Sequence, residues 1–219
     1  MGPNDRVIDL GSGDGRIVIV AAKRFGARGL GVEIVAQLVK ESRESARRAG
    51  VADRVEFREQ DLYATDLRDA TVITMYLLPE VNLELRPRIL ALVPGTRIVS
   101  HDWDMGDWKP DRTVTVDAPD KTIGLEKKSR VHLWIVPAQV AGVWCAGDKR
   151  LEITQQFQRV RVNGRAGRVD GAAIDVPAGL ALKLDGAQLR VTSAVGRYAG
   201  LKSLALERAG APGASCPSR

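Results

Sequence analysis

The run Val7-Ile8-Asp9-Leu10-Gly11-Ser12-Gly13-Asp14-Gly15 decides the fold, and Arg16-Ile17-Val18-Ile19-Val20-Ala21-Ala22 follows it at once. Residues 7–10 form a short apolar run suited to a buried parallel strand, and residues 16–25 carry an apolar helical face. The three glycines between them let the chain turn sharply and bring backbone amides close to a ligand. The plain alternative is a glycine-rich strand-to-helix turn that binds nothing. Spacing narrows the choice. The dinucleotide fingerprint needs glycine at its first, third and sixth positions, and Arg16 occupies the sixth. No Lys-Ser or Lys-Thr pair follows, which excludes a nucleoside-triphosphate loop. What remains is an acid, Asp9, two residues ahead of Gly-x-Gly-x-Gly.

Outward from this turn, strand and helix patterns alternate. Residues 28–33 read as a second buried strand ending in Glu33, which lies 18 residues beyond Gly15. That is about the interval at which a strand-two carboxylate meets ribose hydroxyls. A charged helix over 34–49 is closed by Gly50, and 55–58 make a third strand followed by Gln60-Asp61-Leu62. A fourth strand over 71–75 runs into Tyr76-Leu77-Leu78-Pro79-Glu80-Val81, and 81–92 read as a helix before Pro94-Gly95. The fifth strand, 96–100, leads to His101-Asp102-Trp103-Asp104-Met105-Gly106-Asp107-Trp108. Residues 112–117 and 130–136 read as a closing antiparallel hairpin ending at Pro137.

The acid and glycine turn of residues 9–15 resemble motif I of the class I S-adenosylmethionine (SAM)-dependent methyltransferases. The resemblance implies that Asp9, Gly11, Ser12, Gly13, Asp14 and Gly15 surround the methionine part of SAM, an acid being suited to a cationic sulfonium. It further implies that Glu33 takes the ribose hydroxyls, and that Asp61 and the Leu62 amide meet adenine. The bland readings are an exposed strand-end glutamate and a cap before Tyr63. Residues 9–18 with 76–90 are similar to a narrower group. These are the seven-strand protein-lysine methyltransferases that act on mitochondrial carriers and the ATP-synthase c subunit, with their bacterial relatives. A more distant likeness is to the non-SET histone lysine methyltransferase, which shares Asp-Leu-Gly-Ser-Gly and Pro-Glu-Val.

This resemblance covers roughly residues 5–137. It implies an α/β fold, a Rossmann-like seven-stranded methyltransferase sheet, with SAM as cofactor and S-adenosyl-L-homocysteine as product. The implied acceptor is an amine, a protein lysine above all. A small-molecule N- or O-methyltransferase and a non-catalytic SAM-fold binding protein are the alternatives. Tyr76, Glu80 and His101, with Asp102 behind them, are the candidates for the acceptor end. Aromatic faces and carboxylates together suit a cationic amine. The rival reading is a structural loop whose tryptophans plug the sheet end. No metal is expected. Nucleic acid is not expected either, because the loop after the fourth strand lacks Asn-Pro-Pro-Tyr or Asp-Pro-Pro-Tyr. Residues 1–137 also balance 21 basic against 21 acidic side chains.

The whole net charge of +6 therefore lies in residues 138–219, with 12 basic and 6 acidic side chains. There the period shortens, and the turn pairs Asn163-Gly164 and Asp185-Gly186 separate alternating runs. The expectation is a domain boundary after residue 137, a small antiparallel β domain of five or six strands over 138–210, and a disordered tail over 211–219. Arg159, Arg161, Arg165 and Arg168 cluster at its first expected hairpin, as a solvated strand face or as the surface for an anionic partner. A bond between Cys145 and Cys216 stays open, with two free thiols the expectation. No apolar run is long enough to span a membrane and no signal peptide is evident, so the chain reads as cytoplasmic. Met1-Gly2-Pro3 leads almost directly into the first strand, so a shortened start that lacks an upstream segment is also expected.

Overall fold

Five short parallel strands build the first half of the chain: β1 (Arg6–Leu10), β2 (Arg28–Glu33), β3 (Val55–Glu59), β4 (Val72–Met75) and β5 (Arg97–His101). Helices α1 (Arg16–Phe25), α2 (Ala36–Arg48) and α3 (Pro79–Leu90) connect them, and β6 (Arg112–Asp117) and β7 (Lys128–Ile135) complete the sheet antiparallel. The computed structural model describes residues 1–121, 126–177 and 179–216. It resolves into two compact units, Met1–Ile135 and Val136–Arg219. The sheet order in the first is β3-β2-β1-β4-β5-β7-β6, so chain direction across the sheet reverses between β1 and β4. At such a switch point the strand ends part, leaving a crevice outside their carboxyl termini.

The central strands read as continuous apolar runs because both faces are covered. Val7, Ile8 and Leu10 are buried in β1, and Val72, Ile73 and Met75 in β4. α1 begins directly at Gly15, whose φ of 76° only glycine adopts easily, and Gly26 closes it in the same left-handed region. Phe57 of β3 lies against two glycines at once. A Cβ on Gly15 would stand 2.5 Å from its ring, and one on Gly31 2.6 Å. α3 starts at Pro79, two residues before the expected start. Proline's fixed φ and missing N–H suit the first helical turn, so Pro79 opens the helix rather than preceding it.

The second unit is a closed barrel of eight antiparallel strands, more than the five or six expected. They are β8 (Gly142–Ala146), β9 (Lys149–Gln156), β10 (Arg159–Val162), β11 (Arg165–Asp170), β12 (Ala173–Val176), β13 (Leu180–Asp185), β14 (Gln188–Ala194) and β15 (Ala205–Gly210). β15 pairs with β8 and closes the ring. Trp144, Leu151, Ile153, Val162, Ile174, Leu182, Leu189 and Leu206 fill its interior. A 3-10 segment, Gly196–Leu201, adds Tyr198 and Leu201 to the same core. The β9–β10 turn gave no signal in the sequence because it carries no glycine or asparagine. It passes instead through Phe157, at a φ of 53°.

The expectation of two free thiols is corrected. Cys145 and Cys216 form a disulfide with Cα atoms 5.8 Å apart. Cys145 stands on β8 beside β15, and the chain leaving β15 brings Cys216 back to it, a proximity that sequence spacing does not show. The stretch expected to be a disordered tail is thereby tied down as far as residue 216, and the Ala214 carbonyl accepts from Arg150 at 3.1 Å. Residues 217–219 of that tail lie outside the described residues. The four arginines sit on the β10–β11 hairpin, which β8 and β9 precede, with Arg159 directly opposite Arg168. Among the described residues, no helix is long and apolar enough to cross a membrane.

Candidate active site

Three carboxylates stand in a row along the carboxyl edge of β1, β2 and β3. Asp9 is 2% exposed, and its Oδ1 accepts a 2.6 Å hydrogen bond from Thr74 Oγ1 on β4. Burial pushes its carboxyl up to about 6, against the Thr74 bond and reinforced by the negative charges of Asp14 and Glu33. A buried carboxylate with one hydroxyl partner is undercompensated, so a cation is the ligand that suits it. Glu33, at the end of β2, accepts from Gly13 N at 3.0 Å through Oε2, and from Ile34 N and Val35 N through Oε1. It thus clamps the glycine turn to the second strand, with lone pairs left for a further donor.

The turn is open where a ligand would lie. Gly11, Gly13 and Gly15 all have positive φ, and a Cβ on Gly13 would meet nothing within 4 Å. Beside it the Ser12 hydroxyl is buried without a hydrogen-bond partner among the described residues. Ser42 of α2 donates to the Gly13 carbonyl at 2.9 Å and braces the turn from behind. Leu77, in the loop after β4, leans over the turn, 3.1 Å from the point a Cβ on Gly11 would occupy. Asp14 points elsewhere: its carboxylate is bound by the exposed Arg16 guanidinium at 2.6 Å, which holds its carboxyl below the usual range. Asp61 caps the short 3-10 turn Leu62–Ala64, its Oδ1 accepting from Tyr63 N at 2.8 Å. Its Oδ2 makes no hydrogen bond among the described residues.

On the far side of the switch point, Tyr76 and His101 meet. Their ring centroids are 4.1 Å apart and the planes are tilted by 39°. β4 and β5 are paired neighbours, so the two residues that follow and end them come out side by side. Behind His101 lies Asp102, its Oδ2 3.6 Å from His101 Nε2 and 2.7 Å from Lys121 Nζ. Asp102 adopts a φ of 63°, unusual for a residue with a side chain, and the Arg130 backbone grips it from both sides. Burial by itself would raise its carboxyl. The bonds from Lys121 and the Arg130 amide, with the charges of His101 and Lys121, outweigh this and hold it below the ordinary value. Glu80 is exposed in the first turn of α3 and makes no hydrogen bond or ion pair with Tyr76 or His101.

The loop after β5 divides its tryptophans between two tasks. Trp108 is fully buried and its carbonyl accepts from Trp134 Nε1 at 2.8 Å, whereas Trp103 remains exposed. Asn82 and Arg86 of α3 escaped the sequence reading. Buried Asn82 donates toward Ser100 Oγ, Trp103 O and Asp104 O, and Arg86 donates to Met105 O and pairs with Asp107. Their separation by one helical turn on α3 is the signal that was available, since i and i+4 share a face.

An acid before a glycine turn and a second carboxylate at the end of strand two, on a seven-stranded sheet whose last two strands pair antiparallel, mark a class I SAM-dependent methyltransferase. The ANTKMT methyltransferase domain matches residues 9–112. The chain is 40% identical over 116 residues to a protein-lysine N-methyltransferase of Saccharolobus islandicus, covering 52% of this chain and 72% of that one. It is 38% identical over 107 residues to the mouse adenine nucleotide translocase lysine N-methyltransferase, covering 48% of this chain and 46% of the mouse protein. It therefore spans less than half the length of that animal relative. A solved structure of an RNA methyltransferase from Salinibacter ruber with S-adenosyl-L-homocysteine is 51% identical. That match has a TM-score of 0.57 and covers 64% of this chain and 85% of that one. The chain belongs to this methyltransferase family, and SAM is its cofactor.

Proposed function

We propose that the acceptor is an amine, and that the amine is a protein lysine approached between Tyr76 and His101. The observation that carries this reading is the Tyr76–His101 ring contact at the neighbouring carboxyl ends of β4 and β5. Two relatives named as lysine methyltransferases support it. Asp9, Gly11, Ser12, Gly13 and Gly15 hold the methionine end of SAM, with Asp14 at the rim. Glu33 accepts from the ribose, and Asp61 with the Leu62 amide meets adenine. Bound there, SAM supplies a methyl group on a cationic sulfur. The chain's own task is to line up the amine and exclude water. The Tyr76 ring borders the acceptor path, His101 supports that ring, and Asp102 with Lys121 fixes the strand end behind it. Glu80 attracts the lysine cation to the entrance. Desolvation then lowers the amine's pKa and favours the neutral nucleophile.

The test is mass spectrometry of lysate proteins after incubation with SAM. Methyl label on lysine, strongly reduced in Tyr76→Ala while SAM still binds, is the expected result. Label that never reaches lysine sinks the acceptor claim and spares the cofactor.

The likeness to the structure described as an RNA methyltransferase favours a second reading, in which the acceptor is RNA. Tyr76-Leu77-Leu78-Pro79 after β4, and the zero formal charge of residues 1–137, weigh against it. Label recovered in RNA rather than on protein would establish it.

A further inference from the structure

The alternation of an antiparallel barrel sends the connections after β8, β10, β12 and β14 to one end. Three of these four surround a cavity of about 540 Å³. The β8–β9 turn contributes Lys149, the β10–β11 turn Arg165, and the 3-10 segment after β14 Arg197 and Tyr198. Leu151 and Leu201, both part of the barrel core, form an apolar floor. The size falls within the range of small-ligand sites, roughly 300–1,000 Å³.

Charge is what singles this mouth out. Lys149 is paired with Asp148 at 2.8 Å and Arg150 with Glu152 at 2.9 Å. Arg165 and Arg197 form no ion pair with a carboxylate among the described residues, although both line the same space and Asp148, the partner of Lys149, lines it too. Asn163 is already used: its Oδ1 accepts from Glu152 N at 2.8 Å, so it stiffens the rim. The Tyr198 ring is buried in the core, while its hydroxyl makes no hydrogen bond with the described residues. Two unneutralised guanidiniums and a spare hydroxyl around an apolar floor are complementary to a tetrahedral oxyanion attached to a larger, less polar body. Arg159, Arg161 and Arg168 carry the positive charge away from the mouth along the outer face of the β10–β11 hairpin.

We propose that this end of the barrel binds a nucleotide phosphate, carried by a free nucleotide or by a single-stranded RNA, through Arg165, Arg197 and the Tyr198 hydroxyl. The site is independent of the methyl-transfer reading. Its residues all belong to the second unit, and SAM titration of the same variants reports on the first.

The full chain is titrated with AMP by calorimetry and with a labelled oligouridylate by fluorescence anisotropy. Arg165→Gln combined with Arg197→Gln is compared with Lys183→Gln combined with Arg190→Gln. The control pair sits opposite one another on β13 and β14 and removes the same charge from the barrel wall. All four side chains are exposed, so both variants are expected to fold. The mouth variant should lose affinity at least about tenfold, as the loss of two charge-assisted contacts requires, while the control stays within about twofold. AMP bound as tightly as the oligomer identifies a free nucleotide. Tighter oligomer binding, with a salt slope about 1.4 shallower in the mouth variant, identifies a strand. Failure of both probes to bind, or equal loss in the two variants, overturns the proposal.

Discussion

Thr74 Oγ1 and Asp9 Oδ1 are joined by a 2.6 Å hydrogen bond across the β1–β4 pair, and both residues are buried. The bond spans the place where the sheet order reverses, and it is the one hydrogen bond to the Asp9 carboxylate among the described residues. It favours the charged form against a burial that favours the neutral one.

From this follows a pH dependence with a definite sign. The Asp9 carboxyl titrates near 6 in the folded chain against 3.8 in the unfolded one. The folded state therefore holds its proton longer, and ligand-free stability falls as pH rises from about 3.8 to about 6. The full loss is of order 3 kcal/mol, since a tenfold change in proton affinity corresponds to about 1.4 kcal/mol. Asp9→Asn should accordingly raise the thermal midpoint of the ligand-free chain at neutral pH, yet abolish SAM binding. In the native chain SAM affinity should drop below about pH 6, where Asp9 takes up its proton. Calorimetry across pH reads both effects; SAM affinity that stays flat through this range would remove Asp9 from the sulfonium's surroundings.

Glu33 carries two tasks that substitution can separate. Glu33→Gln keeps one carbonyl oxygen for backbone donors but loses the charge that strengthens bonds to ribose hydroxyls. It should weaken SAM at least about tenfold and cost about 1 kcal/mol of stability, because the new NH2 group faces a backbone N–H that the second carboxylate oxygen served. Glu33→Ala also releases the amides of Gly13, Ile34 and Val35, so a stability loss of about 1–3 kcal/mol should accompany the loss of SAM. Chemical denaturation beside calorimetry distinguishes the two variants.

Gly31→Ala tests the packing under the turn. Its new Cβ would stand 2.6 Å from the Phe57 ring and 2.7 Å from Ser12 Oγ. Overpacking of this kind costs about 1–3 kcal/mol. Adding Phe57→Leu should recover part of that cost, which a double-mutant cycle in urea would show as coupling between the two sites.

Asp102 gives the opposite pH signature to Asp9. Its carboxyl is held below the ordinary 3.8, so the stability it lends is present above that value and disappears as pH falls further. Lys121→Met removes its hydrogen-bonded cation and should make the chain unfold at a higher pH on acid titration. Tyr76→Phe, by contrast, should leave acid stability unchanged, because the ring stays against His101.

The Cys145–Cys216 bond closes a separation of 71 residues. On chain-entropy grounds it is expected to contribute up to about 4 kcal/mol. Denaturant unfolding followed through Trp144, buried in the barrel, should shift to lower denaturant on reduction or in Cys145→Ser with Cys216→Ser. SAM affinity serves as the readout of the other unit.

The glycine turn, the acids Asp9 and Glu33 and the strand–helix alternation from Arg6 to His101 were all legible in the sequence. Each rests on short-range rules: a buried strand is an apolar run, glycine takes positive φ, and a charged end follows an apolar run where a strand leaves the core. The pairing of Tyr76 with His101 needed only one further rule, that β4 and β5 are neighbours. The tertiary structure alone decided what depends on distant partners. Phe57 demands glycine at 15 and 31, and Asn82 and Arg86 anchor a loop some twenty residues away. In the second unit, alternation marked β13 and β14 but could not show that β15 returns to β8. Ring closure is a contact between the ends of the unit, and it also brings Cys216 to Cys145 and three basic turns to one mouth. Periodicity reports which way a side chain faces; only closure of the chain reports which charges then stand together.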